Sequence, residues 1–155
     1  MMGREKLQAE MKSSQTDHVE YVAFSVATQR YCLEITKIRE IRGWSPVTAL
    51  PHAPVEVLGV MNLRGAVIAI IDLAEKFGLG KTKANKRNVV IVVSVGGSET
   101  GLLVEAVSEI ITVTKEEIQE TPEVKSDATK KCIRGVVCID GELTRIVALD
   151  EVISS

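Results

Sequence analysis

Aromatic residues are scarce in this 155-residue chain: two Phe, two Tyr and one Trp amount to 3% of it. The core must therefore be aliphatic, and there is little material for the stacking platforms of single-stranded nucleic-acid binders. Excess positive charge is also missing. The formal net charge is −2 and the isoelectric point about 5.8, so the chain has no general electrostatic footprint for phosphate neutralisation. Long apolar runs are absent. The longest, Ala66 to Ile71 and Val89 to Val93, are far too short to span a bilayer. The opening MMGREKLQAEMKSSQTD has no apolar stretch of the signal-peptide kind.

Catalytic and metal-binding chemistry is equally thin. The two histidines are His18 and His52, and no GxSxG-type nucleophile motif occurs. Paired carboxylates such as Glu116-Glu117 read as the acidic first turn of a helix. Cys32, Cys132 and Cys138 include no CxxC, and neither histidine stands at ligand spacing from them. Reduced thiols in or near the core are the plain reading, with zinc the sharper alternative. Gly80-Lys81-Thr82 lacks the upstream glycine of a phosphate loop, since Glu75 stands there. Composition, motifs and charge together argue against an enzyme.

What is present is β-pattern and punctuation. Hydrophobic residues make up 45% and charged residues 26%, ordinary for a globular chain. Residues 1–17 read as a polar, mobile tail. From Tyr21, apolar residues alternate through Val26; a turn is expected at Gln29-Arg30, and Tyr31 to Ile35 form a second strand. Ile35, Ile38 and Ile41 recur every three residues, as one helical turn or as a strand whose phase a bulge has shifted. The bulge is preferred because β-branched Ile dominates; it puts Ile38 and Glu40 on one face and Ile41 on the other. If the segment is helical, Ile38 is core.

Further on, Pro54 suits the first residue of a short helix, Pro54 to Leu58. Val60 to Leu63 and Ala66 to Ile71 flank a turn at Arg64-Gly65. Asp72 caps a helix that Gly78 ends. Gly78 to Asn88 (GLGKTKANKRN) reads as a flexible basic linker. Beyond it come strands Val89 to Val95 and Leu102 to Ile111. Thr114 then caps a short helix, Glu120 to Lys131 is a charged loop, and a hairpin turns on Asp140-Gly141. Asp150 is expected to cap a last short helix.

The two halves repeat each other. GVMNLRGAVIAIIDLAE (59–75) aligns without a gap on GVVCIDGELTRIVALDE (135–151), and Leu33, Ile35, Ile38, Glu40 and Ile41 align on Leu102, Val104, Val107, Glu109 and Ile110. Short strands with frequent Gly and Pro turns favour small barrels. The expected fold is mainly β: two similar small barrels, the first over about 21–78 and the second over about 89–155. Residues 79–88 join them, the first strand is possibly shared, and a crevice between the barrels is a natural binding site.

EIRG (40–43), GVMNLRG (59–65), IIDL (70–73) and GLLVEAVSEII (101–111), in that order, closely resemble the CheW family of bacterial chemotaxis coupling proteins. The likeness runs from His18 to Ile153. It implies two tandem SH3-like five-stranded β-barrels, a cytoplasmic adaptor recruited to receptor arrays, and no cofactor or catalytic activity. The implied partners are the cytoplasmic tips of methyl-accepting chemoreceptors and the CheW-like domain of the histidine kinase CheA, with no nucleic acid and no membrane insertion. Carried over by position, the receptor-binding residues are Ile38, Glu40, Gly59, Arg64, Gly101 and Val107, and the kinase-binding residues Glu123 and Val124. Glu105 stands where the family usually has Asp, and Gln119 where a basic residue can occur. By their own chemistry, Gly59 and Gly101 read as turn or close-packing residues, and Arg64 as an exposed turn residue. Alternatives are the same module in a non-chemotactic receptor–kinase pathway, or a small-ligand or nucleic-acid-binding barrel pair.

Overall fold

The computed structural model describes residues 18–120 and 131–153. Among these residues ten strands form two five-stranded sheets. In chain order they are β1 (His18–Val26), β2 (Gln29–Glu34), β3 (Ile38–Gly43), β4 (Val57–Leu63) and β5 (Ala66–Asp72), then β6 (Val89–Val95), β7 (Ser98–Val104), β8 (Ala106–Thr114), β9 (Ile133–Ile139) and β10 (Glu142–Val147). The short helices α1 (Leu73–Lys76) and α2 (Leu149–Ile153) follow β5 and β10. One sheet has the order β8-β1-β2-β10-β9, the other β3-β6-β7-β5-β4. Exchanging β1–β5 for β6–β10 turns one order into the other, so the sequence repeat is also a repeat of topology.

The division at residues 79–88 is nevertheless not where the sheets divide. β1 and β2 pair with β8 and β10, while β3, β4 and β5 join β6 and β7. Each half contributes its first hairpin to one sheet and its third strand and second hairpin to the other. Burial supplies the reason. Phe24, Val26, Tyr31 and Leu33 of β1 and β2 share one buried cluster with Ile91, Val93, Leu102 and Val104 of β6 and β7. The opposite faces of these strands fill separate sheet interiors, around Ala23 and Cys32 in one and Val90, Val92 and Leu103 in the other. A strand buried on both faces reads as a continuous apolar run, as Val89 to Val93 does. The expected crevice between the barrels is thus occupied by this central core.

Four hairpins turn on pairs of residues with positive φ: Ala27-Thr28, Arg64-Gly65, Gly96-Gly97 and Asp140-Gly141. Positive φ at both central residues is the type I′ signature, which matches the twist of the flanking strands. The first of these lies at Ala27-Thr28 rather than at Gln29-Arg30, which begins β2. Each sheet edge is closed by its own chain. Thr48, beyond β3, exchanges backbone hydrogen bonds with Val60 of β4 (2.9 and 2.8 Å). Gln119, beyond β8, does the same with Val136 of β9 (2.8 and 3.0 Å). These bridges convert the sheets into small barrels and remove open edges.

Other expectations are corrected locally. Pro54 to Leu58 is no helix: a single turn closes from the Val57 N–H to the Pro54 carbonyl, and β4 starts at Val57. Leu102 to Ile111 is two strands, β7 and β8, broken at Glu105, whose N–H donates to the Ser25 carbonyl. Both readings of Ile35 to Ile41 hold in part. Ile35–Lys37 is a 3-10 turn, and β3 then pairs with β6 through a register shift between Ile38 and Glu40. The cap at Asp72 is as expected, its Oδ1 accepting from the Ala74 N–H (3.1 Å). α2 begins at Leu149, one residue before Asp150. The basic linker is tied down, because Asp72 also accepts from the N–H and the hydroxyl of Thr82. The expected tail at 1–17 lies outside the described residues.

Two predictions follow from this core. Residues 18–88 and 89–155 produced as separate fragments should each lack dispersed amide spectra, because each half lacks the strands that cover its own first hairpin; well-folded isolated halves would contradict the exchange. The second concerns the thiols. Burial pushes Cys32 from its ordinary value of 9.0 up to about 12 and raises Cys132 too, whereas Cys138 is exposed. In native protein a thiol reagent at pH 8 should modify Cys138 alone, with all three thiols reacting in denaturant. The folded state binds the Cys32 proton more tightly than the unfolded chain does. Its contribution to stability is therefore complete below pH 9 and shrinks from pH 9 towards pH 12, by about 1.4 kcal/mol per pH unit at most. A denaturant series across that range reads the slope.

Candidate functional site

The structure joins two of the positions singled out in the sequence and separates others. Glu40 lies on β3, half-buried, but not on the face of Ile38 as expected: the extra residue in the bulge puts Ile38 opposite Val93, on the side of the central core with Ile41, and Glu40 opposite Val92, on the other side. Arg64 lies at the tip of the β4–β5 hairpin. Its Nη2 is 3.0 Å from Glu40 Oε1, and its Nη1 donates to Glu40 Oε2 at 3.4 Å. Arg42 Nη1 approaches the same carboxylate at 3.9 Å. Glu40 Oε1 is shielded from water yet has no aligned hydrogen bond, so charge alone holds it. The Arg64 side chain remains 66% exposed, which leaves most of the guanidinium free for an outside acceptor. Arg64 also sits at φ 52°, a left-handed conformation that disfavours side chains other than Asn, Asp and Gly. The turn therefore gains nothing from arginine, and the reason for it lies in what the guanidinium reaches.

The repeat provides an internal comparison. Glu109 on β8 is the counterpart of Glu40, and Asp140 that of Arg64. Glu109 is instead met by Arg30 of β2, which also contacts Glu142 (3.4 Å). Both sheets thus place an arginine on the third strand's glutamate, from different elements. Reading Arg30 as a turn residue concealed it; its position between strand-forming residues was the signal available.

Ile38 and Val107 are also counterparts. Ile38 pairs with Val93 and Val107 with Phe24, each beside a register shift. Both are partly buried against the central core, from opposite sheets. They are neither fully interior nor free, and each presents an aliphatic margin of that core to solvent.

Gly59 and Gly101 are different in kind. A Cβ on Gly59 would stand 2.2 Å from the Thr48 carbonyl oxygen, and its φ is 153°. A Cβ on Gly101 would stand 2.5 Å from Ile70 Cδ1 and 2.8 Å from Val90 Cγ1. Gly59 lets the chain leaving β3 cross β4 and close the barrel; Gly135 does the same under Gln119. Gly101 lets β7 pack on the interior. Both are buried, and their chemistry is that of close packing. Glu123 and Val124 lie outside the described residues.

No catalytic arrangement accompanies these positions. Among the described residues no three His, Cys, Asp or Glu side chains gather as a metal site, and no helix is long and apolar enough to cross a membrane. Twin closed barrels with a charged pair and aliphatic margins at their surface define a docking module of the scaffold class.

The chain belongs to the CheW-like domain family, whose profile matches residues 20–155. It is 45% identical over 144 residues to a protein of Rhizobium etli named probable chemotaxis protein CheW, covering 93% of each chain. It is 46% identical over 136 residues to the chemotaxis protein CheW of Rhizobium meliloti, covering 88% of each. The crystal structure of the scaffolding protein TtCheW from Thermoanaerobacter tengcongensis superposes with a TM-score of 0.78 at 32% identity, over 84% of both chains. The family is one of scaffolds and adaptors, not enzymes.

Gly59 offers a clean test of its role. Gly59→Ala should destabilise the fold by about 2–4 kcal/mol, from the contact with the Thr48 carbonyl and the unfavourable φ, read as a lower denaturation midpoint. A variant of normal stability that has lost partner binding would instead make Gly59 a contact residue.

Proposed function

We propose that this chain is a non-enzymatic chemotaxis adaptor that couples the cytoplasmic tips of transmembrane chemoreceptors to the histidine kinase CheA at the inner face of the membrane. The reading rests on family membership together with one observation: the Glu40–Arg64 pair, whose arginine is largely open to solvent and unnecessary to the turn that carries it. Receptor contact is assigned to Ile38, Glu40, Arg64 and Val107. Gly59 and Gly101 support it from within, Gly59 by fixing β4, which leads to Arg64, and Gly101 by fixing β7, which pairs with β5 and β6. Kinase contact is assigned to Glu123 and Val124 by their match to the family's positions. Names carried by the relatives favour chemotaxis over another receptor–kinase pathway.

The energetics set the direction of each test. An exposed ion pair contributes at most about 1 kcal/mol to stability. The same guanidinium, desolvated against a receptor carboxylate or carbonyl, loses roughly 2–5 kcal/mol of binding on truncation. Arg64→Ala should accordingly leave thermal melting nearly unchanged and sharply reduce receptor-stimulated kinase activity. A large fall in melting temperature with normal coupling would show that Arg64 is structural. Val124→Asp should weaken a kinase-containing assembly in co-sedimentation by burying an unpaired charge; unchanged assembly would remove this loop from the interface.

A further inference from the structure

Among the described residues, Arg30 alone bridges carboxylates of two different strands. It alternates with Tyr31 along β2, so its side chain takes the face of Cys32, inside the barrel of the β8-β1-β2-β10-β9 sheet. Glu109 shares that inner side with Ile111 of β8, and Glu142 shares it with Ile146 of β10. One side chain thus spans the sheet from β8, across β1, to β10. Its Nη2 contacts Glu109, and its Nη1 lies 3.4 Å from Glu142. The side chain is only 20% exposed and Nε has no hydrogen-bond partner, so these two contacts fix the head of the arginine.

The other barrel shows what the bridge is for. The repeat puts Glu99 in the place of Arg30 and Ala66 in the place of Glu142, and no such bridge can form there. In that barrel β5 joins β7 through four residue pairs. The counterpart junction, β10 on β2, has two. The bridge therefore occurs in the barrel whose parallel seam is short. A forked, charge-assisted contact suits that place because it fixes direction as well as distance. What it ties together bears on docking. Val107, assigned to the receptor, lies two residues before Glu109 on β8. β9, paired with β10, carries Val136, whose bridge to Gln119 anchors the start of the chain leading to Glu123 and Val124, assigned to the kinase.

We propose that Arg30 is a positioning residue: it holds the β9–β10 hairpin against β8 and so sets the kinase-facing surface relative to the receptor-facing one. The inference rests on the adaptor reading and adds to it the element that makes two separate contacts one geometry. Each partner alone is bound without Arg30; the response of one to the other is not kept.

Hydrogen exchange of the full-length protein tests the clip without any partner. Arg30→Gln should speed exchange of the β9 and β10 amides by roughly fivefold and leave those of β4 and β5, their counterparts, unchanged. Glu142→Gln, at a position open to solvent, should do the same with Arg30 and Glu109 in place. Unchanged exchange at β9 and β10 in either variant, or an equal rise in both hairpins, overturns the clip. Receptor-stimulated kinase activity tests the consequence. Arg30→Gln should lower the stimulation by roughly fivefold or more, while capture by a receptor fragment alone and by the kinase alone stays at the wild-type level. Stimulation that is unchanged, or lost only together with binding of one partner, overturns the positioning role. Wild-type protein that gives no stimulation overturns the adaptor reading and the positioning role with it, and exchange still decides the clip.

Discussion

Everything in this molecule depends on one core that belongs to neither sheet alone. β1, β2, β6 and β7 bury one face inside their own barrel and the other against the opposite sheet. Where such a strand runs through the core it has no solvent face, so that stretch is apolar on both sides, and removing its partner sheet exposes a whole row of side chains at once. At roughly 25 cal/mol per Å² of apolar surface, such a row outweighs any single surface contact. The exchange of third strands and second hairpins between the halves makes the arrangement mutual, and with it the two barrels fold as one body.

That body is built twice and finished differently. The bulges at Ile38 and Val107, the closing bridges at Thr48 and Gln119, and the glycines beneath them at 59 and 135 are common to both barrels. The charged side chains on top are not. Glu40 is met from a hairpin tip, where the guanidinium stays open to solvent, and Glu109 from β2, where the arginine is mostly covered. A repeat therefore supplies rigidity to both ends while leaving one end the more accessible cation. For an adaptor this division is useful, because a docking surface loses least entropy on binding when the scaffold already holds it in place.

Position in a shared motif does not tell which residues touch a partner. Gly59 and Gly101 fall in the same set of family-like motifs as Glu40 and Arg64, yet they sit inside the barrels, where backbone and side chains approach too closely for a Cβ. Their loss would reach a docking surface only by moving the strands that carry it. Such effects are separable from contact effects by stability, since an exposed charge contributes little to folding and an interior glycine contributes much.

The sequence by itself determined the hairpins at Arg64-Gly65 and Asp140-Gly141, the cap at Asp72, the doubled organisation and the phase shift after Ile38, though not the faces it produces. Each is a matter of local chemistry: turn residues tolerant of positive φ, a carboxylate two residues before an amide, or alternation along a strand. Missing the break at Glu105 and writing a helix at Pro54 also came from local rules, applied where a distant partner prevails. The Ser25 carbonyl takes the Glu105 N–H, and β5 takes the chain after Val57 into its ladder. Only the tertiary structure decided which sheet each strand enters, why the basic segment is held at Thr82, and that Arg64 meets Glu40. Strand partnership depends on long-range pairing and on which apolar face finds cover, and a period-2 pattern is the same whichever sheet receives it.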